Sequence, residues 1–131
     1  MNNIFEEDYT KLEEYDRVYF FNKFYDDLPK ILKGYSKVKH FNKWLDESIA
    51  LLDKNDILEL TREKFNTFEH IEDDIYCIRY RHKVKNIRIL FQITTINDSV
   101  SILLKAFDEK KTKADYDKAK RVARKRKFKQ K

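Results

Sequence analysis

Three runs decide the reading of this chain: IYCIRYRHK (Ile75 to Lys83), IRILFQITT (Ile87 to Thr95) and VSILLKAF (Val100 to Phe107). Each is rich in β-branched and aromatic residues, and only Val84 to Asn86 and Ile96 to Ser99 separate them. Connections that short join antiparallel neighbours, so a three-stranded meander is predicted. Period-two alternation puts Ile87, Ile89, Phe91 and Ile93 on one face and Arg88, Leu90, Gln92 and Thr94 on the other. Arg79 and Arg81 share one face of their strand, and Lys105 is read on the face opposite Leu104 and Ala106. The expected sheet has one apolar face and one lined by cations. Ordinary surface charge is the plain alternative. Function is favoured because a mid-strand arginine gives up conformational freedom without adding to a core, where Thr or Val would serve.

Upstream, RVYFFNKF (Arg17 to Phe24) reads as a first strand, and Asp26, Asp27, Leu28 and Pro29 as a helix entry, since acids and proline suit a first turn. Gly34 ends that short helix. From Ser36, the residues Val38, Phe41, Trp44, Leu45, Ile49 and Leu52 recur every three or four positions, an amphipathic helix reaching about Asp53, with Trp44 in the core. The stretch from Lys54 to Asp74 is polar, yet Ile57, Leu60 and Phe68 suggest that it packs. Downstream, Thr112 is a plausible N-cap for a basic last helix with a modest apolar stripe through Ala114, Tyr116, Ala119, Val122 and Ala123. The fold class is therefore α+β: an N-terminal strand and two helices packed on a mainly antiparallel sheet that ends in the meander, then a basic C-terminal helix.

The 131 residues fit one domain, residues 1 to 131, with the helix and tail over about 112 to 131. Apolar residues at 41% and aromatics at 15% supply a core despite 40% charged residues, and one Gly and one Pro exclude collagen-like and linker-rich designs. The longest apolar runs, such as Val18 to Phe21, fall far short of the roughly 20 residues of a membrane helix. The lone Cys77 closes no disulfide within the chain, and no leader-like start follows Met1, so a cytoplasmic location is expected. His40, His70 and His82 lack metal spacing, and neither a metal nor a cofactor is expected. The net charge of +6 is uneven. Residues 1 to 30 carry four basic and eight acidic groups, net −4, whereas residues 105 to 131 carry thirteen basic and four acidic groups, net +9. Such a terminus attracts polyanions, chiefly nucleic acid, although cations near a helix C-terminus are also favoured by its dipole.

Three stretches together resemble a known family: EDDIYCIRYRH (Glu72 to His82), NIRILFQI (Asn86 to Ile93) and SILLKAFDEKKTKADYDKAKR (Ser101 to Arg121). In order and spacing they are similar to the strands and last helix of the RelE/ParE toxin superfamily of bacterial toxin-antitoxin systems, best in its HigB-like, phage-derived branch. The resemblance implies an endoribonuclease that cuts messenger RNA, typically on the ribosome, until an antitoxin protein covers it. It implies attack by a 2'-hydroxyl on the adjacent phosphorus, with arginine and lysine stabilising charge on the non-bridging oxygens.

Carried over by position, Arg79 and Arg88 match the family's strand arginines, and Lys110 and Lys111 its lysine pair, although Phe107-Asp108-Glu109-Lys110-Lys111 is one residue longer than the common spacing and the usual proline is missing. The expected catalytic set is Arg79, Arg88, Lys110 and His82, with His82 as an acid or base near Arg79 or else a turn residue. Arg81, Lys105, Lys111, Lys113, Arg121 and Arg124 are the expected RNA contacts. Tyr116 either stacks on a base or belongs to the core. Rival readings stay open: a magnesium site built on Asp98, Glu109 and Lys111, a ParE-type toxin that occludes a protein, or a phage relic that only binds nucleic acid.

Overall fold

The computed structural model describes residues 7–62, 67–83, 85–94, 99–109 and 113–129; Lys110, Lys111, Thr112 and Asp98 lie outside the described residues. Among those described, six strands form one mixed sheet. They are β1 (Tyr9–Lys11), β2 (Val18–Phe21), β3 (Phe68–Glu72), β4 (Ile75–Arg81), β5 (Asn86–Thr94) and β6 (Val100–Asp108), lying side by side as β1-β2-β6-β5-β4-β3. The helices are α1 (Asp27–Leu32), α2 (Val38–Lys54), α3 (Ile57–Arg62) and α4 (Lys113–Arg126). The general α+β class is as expected, and β4, β5 and β6 form the meander within a residue or two of the predicted limits.

The helical hairpin follows from local chemistry. Gly34 takes φ 77° after α1, a left-handed conformation that costs glycine little, and turns the chain into α2. Phe41, Leu45, Ile49 and Leu52 then form the buried stripe of α2. Asp53 at the end of α2 accepts backbone N–H bonds from Asp16 and Arg17 at 3.0 and 2.8 Å, which anchors the approach to β2.

Several expectations need correction. The first strand is shorter than Arg17 to Phe24, because Phe24 already opens a 3-10 turn, and the three-residue β1 precedes it. The stretch from Lys54 to Asp74 contains α3 and an edge strand, β3, so the antiparallel unit has four strands. The mainly antiparallel sheet is as expected: only the β2–β6 pair is parallel among the described strands, since the chain between them crosses over through helices and the other strands.

The largest correction concerns the sheet's faces, both of which are covered. One packs Phe24, Phe41, Leu45, Ile78, Ile89, Phe91 and Leu103 beneath α1 and α2. The other packs Cys77, Leu90, Ile102 and Leu104 against Ala119, Ala123 and Phe128. Small alanines let α4 approach the sheet closely, and its docking puts Arg88 at 8% exposure, not on a solvent-facing surface. Lys105 is also misread by simple alternation. A bulge shifts the register between Leu90 and Phe91, which pair with Lys105 and Leu103, so Leu104 and Lys105 together oppose one residue. Lys105 is drawn into an ion pair with Asp27 at 3.2 Å.

Candidate active site

At the end of the α4-covered face, the ladder sets Arg79 directly opposite Arg88. Cross-strand partners share a face, so the two cations meet unless something separates their charge. Glu69 on β3 does. Its carboxylate receives Arg79 Nη1 at 3.4 Å on one oxygen and Arg88 Nη1 at 3.5 Å on the other. Glu109, just past β6, pairs with Arg88 Nε and accepts a bond from Asn86 Nδ2 at 3.4 Å. Two guanidinium groups therefore face two carboxylates in one cluster.

The four differ in accessibility. The side chains of Arg88 and Arg79 are 9% and 18% exposed, while Glu69 is 41% exposed. The carboxylate both arginines share is thus the part most open to solvent, and arginine's planar fork suits it to hold a two-oxygen anion there. Burial works against the charge of Arg88, but the hydrogen bond to Glu109 and the surrounding groups that favour a cation together outweigh it and raise the pKa. Among the described residues Arg79 Nε is buried with no hydrogen-bond partner.

Tyr116 on α4 closes the site. The Arg88 guanidinium carbon lies 5.1 Å from its ring centroid, Lys120 Nζ lies at 5.4 Å, and the ring packs edge-on against Phe107 at 5.6 Å. Burial pushes the Tyr116 phenol to about 12, so at neutral pH it offers a hydrogen, not a base. Burial likewise pushes the neighbouring Cys77 thiol to about 12, which removes it as a nucleophile.

The other expected residues scatter. Arg81 is exposed opposite Asn86 and extends the Arg79 row by one pair. Lys113, at the start of α4, and Arg121 are exposed, and Lys118, Arg121 and Lys125 form an exposed stripe at helical spacing. Arg124 instead bonds Glu72 through Nε and Nη2, both at 2.9 Å. His82 is a clear correction: it lies among Tyr35, His40 and Tyr80, ring centroids 5.9–6.1 Å away, on the opposite side of the sheet from Arg79. It is the turn residue of the other reading, its N–H bonded to the Lys85 carbonyl at 2.9 Å. Lys110 and Lys111 fall outside the described residues.

Sequence reasoning missed Glu69 altogether and weighed Glu109 only as a metal ligand. Among the described residues, no group of three or more His, Cys, Asp or Glu is placed to hold a metal ion, and no helix is long and apolar enough to cross a membrane. Comparison with family models, curated proteins and solved structures finds no match.

Proposed function

We propose that this chain is an endoribonuclease that cuts messenger RNA by attack of the 2'-hydroxyl on the neighbouring phosphorus, as the resemblance to RelE/HigB toxins implies. The observation that carries the reading is the convergence of Arg79 and Arg88 on a single oxyanion, that of Glu69. When RNA binds, the scissile phosphate takes the place of that carboxylate between the two guanidinium groups. Glu69, the most exposed member, turns aside and accepts the proton of the 2'-hydroxyl. The oxygen–phosphorus bond forms as the bond to the 5'-oxygen breaks, and that oxygen takes a proton from water, leaving a 2',3'-cyclic phosphate and a 5'-hydroxyl. The arginines stabilise the charge that grows on the non-bridging oxygens. Tyr116 supports Arg88 and presents an aromatic edge to a base. Lys110 and Lys111, directly after Glu109, supply the further cations that the resemblance assigns, and Lys113, Arg121 and the stripe on α4 attract the strand. In this reading the enzyme works in the cytoplasm, on ribosome-bound message, and a cognate antitoxin restrains it.

One observation favours a second reading. Glu69 and Glu109 already neutralise the arginine pair, as they would in a protein that only binds nucleic acid through α4. Purified protein added to translating ribosomes, followed by primer extension, separates the two. New 5' ends in the message support cleavage, and an intact message despite RNA binding supports the second reading.

A further inference from the structure

On the far side of the β4–β5 hairpin from the arginine pair lies a cleft of about 270 Å3. Lys33, Gly34, Tyr35, Ser36 and Lys37 of the α1–α2 connection line one wall, and His82 and Lys85 of the hairpin the other. Three features are left unexplained by folding alone. Among the described residues His82 Nδ1 is buried and has no hydrogen-bond partner, an arrangement that costs free energy. The charged side chains lining the cleft or facing His82, namely Lys33, Lys37, His40, Lys83 and Lys85, are all basic; Asp108, the carboxylate that pairs with one of them, is already bonded by Lys85 at 3.3 Å and the Asn86 N–H. Helix α2 also begins beside this wall with no side-chain cap and no acid in its first turn, so its positive end adds to the lysines.

A cleft with lysines on one wall and an imidazole on the other carries a surplus of positive charge that suits an anion. We propose that it is a binding site for a phosphate group, held by Lys33 and Lys37 from one wall and placed beside the His82 ring of the other. At about 270 Å3 the cleft far exceeds a single water's share of about 30 Å3 and has room for a phosphate group. The mobile-proton chemistry is consistent as well. Burial, then the charges of Lys37, His40 and Lys83, hold the His82 pKa below its ordinary value, and a bound dianion reverses the electrostatic part of that shift. Tyr35 and Tyr80 join hydroxyls at 2.9 Å behind it, and His40 Nδ1 meets the Tyr80 hydroxyl at 2.9 Å, so the floor of the cleft is held in place by its own bonds. This site is independent of the cleavage reaction, because it uses none of the arginine cluster.

The test is side-chain nitrogen NMR on the full chain, titrated with inorganic phosphate. His82 should shift in a saturable way and its pKa should rise, while His70, bonded to the Asp73 carbonyl at 2.8 Å, should not respond. Lys33 and Lys37 are exposed, so the Lys33→Gln, Lys37→Gln double variant keeps the fold and should bind phosphate about tenfold more weakly. In the Arg79→Ala, Arg88→Ala variant the His82 signal should titrate with phosphate as in the wild type, which keeps this result separate from the fate of the nuclease proposal. A short 2'-O-methyl RNA identifies the source. Displacement of phosphate assigns the site to a strand's backbone, and retention assigns it to a free phosphate or mononucleotide. An unmoved His82, or equal affinity in the double lysine variant, overturns the proposal.

Discussion

Arg79 and Arg88 stand directly opposite each other on adjacent antiparallel strands, and both guanidinium groups reach one carboxylate, that of Glu69. Two like charges so placed repel unless an anion lies between them. The folded chain supplies that anion itself, from the strand at the sheet's edge. In the proposed reaction the scissile phosphate takes that place, and the exposed position of Glu69 makes it the group to be displaced.

Glu69→Gln separates its two roles. If the carboxylate takes the proton from the 2'-hydroxyl, its loss should lower the cleavage rate by about 10²- to 10⁴-fold. RNA affinity should hold or rise in the same variant, since a competing negative charge is gone. Rate and affinity measured on one preparation check both effects.

The Arg79–Arg88 pairing emerges only in the assembled ladder, whereas the meander was readable because alternating apolar runs with short connections make antiparallel neighbours. The burial of Arg88 was not, because a cation in an alternating strand looks like the wet face of a sheet. What covers it is the stripe of Ala119 and Ala123, followed by Phe128. Small residues give little signal in sequence although they allow the closest approach. Glu69 escaped notice for a different reason: β3 is an edge strand with only Phe68 fully buried, so its apolar pattern is faint. Its pairing with arginines 10 and 19 positions onward exists only once the strands are assembled.

The C-terminal segment is less free than its charge suggests. Arg124 is held by Glu72, Arg126 by Asp27 at 3.0 Å and Lys127 by Asp74, while Gln92 bonds both backbone groups of Phe128. Removing everything after Lys111 would uncover the core. The sharper test of RNA contact is Lys118→Gln, Arg121→Gln, Lys125→Gln, three exposed cations for which no ion pair is seen among the described residues. Affinity for single-stranded RNA should fall, and the slope of log affinity against log salt should flatten by about 2, at roughly 0.7 per lost phosphate contact. An unchanged slope would remove α4 from the interface.

Docking of α4 should be acid-sensitive. The Arg124 hydrogen bond holds the Glu72 pKa below its ordinary 4.5; at Asp74, burial works the other way, but the bonds from Lys127 and Gln92 outweigh it and bring the pKa below 3.8. Carboxylates with depressed folded pKa values contribute stability that is complete above their unfolded values and is lost as pH falls through the folded ones. Thermal stability should hold down to about pH 5 and drop below pH 4.5. Glu72→Gln should be less stable at pH 7 and show a shallower acid decline, as read by circular dichroism melts.

Cys77 should resist alkylation. Its side chain is buried, and a thiol pushed to about 12 has almost no thiolate at pH 8. Iodoacetamide should label the chain only after denaturant is added, and labelling of the native chain at the rate of a free thiol would mean that α4 leaves the sheet readily.

The central claim is that the arginine pair acts on the transition state of RNA cleavage by an internal 2'-hydroxyl. Single-turnover cleavage of message on programmed ribosomes tests it, comparing wild type with Arg88→Lys, and an all-ribose message with one carrying a single 2'-deoxy residue at the cut site. Lysine keeps the charge but loses the fork that spans Glu69 and Glu109, so the rate should fall by about 10²- to 10³-fold while affinity changes only a few-fold. The wild-type product should end in a 2',3'-cyclic phosphate, and the deoxy message should stay whole. Cleavage of the deoxy message, or equal losses of rate and affinity in Arg88→Lys, would contradict the account.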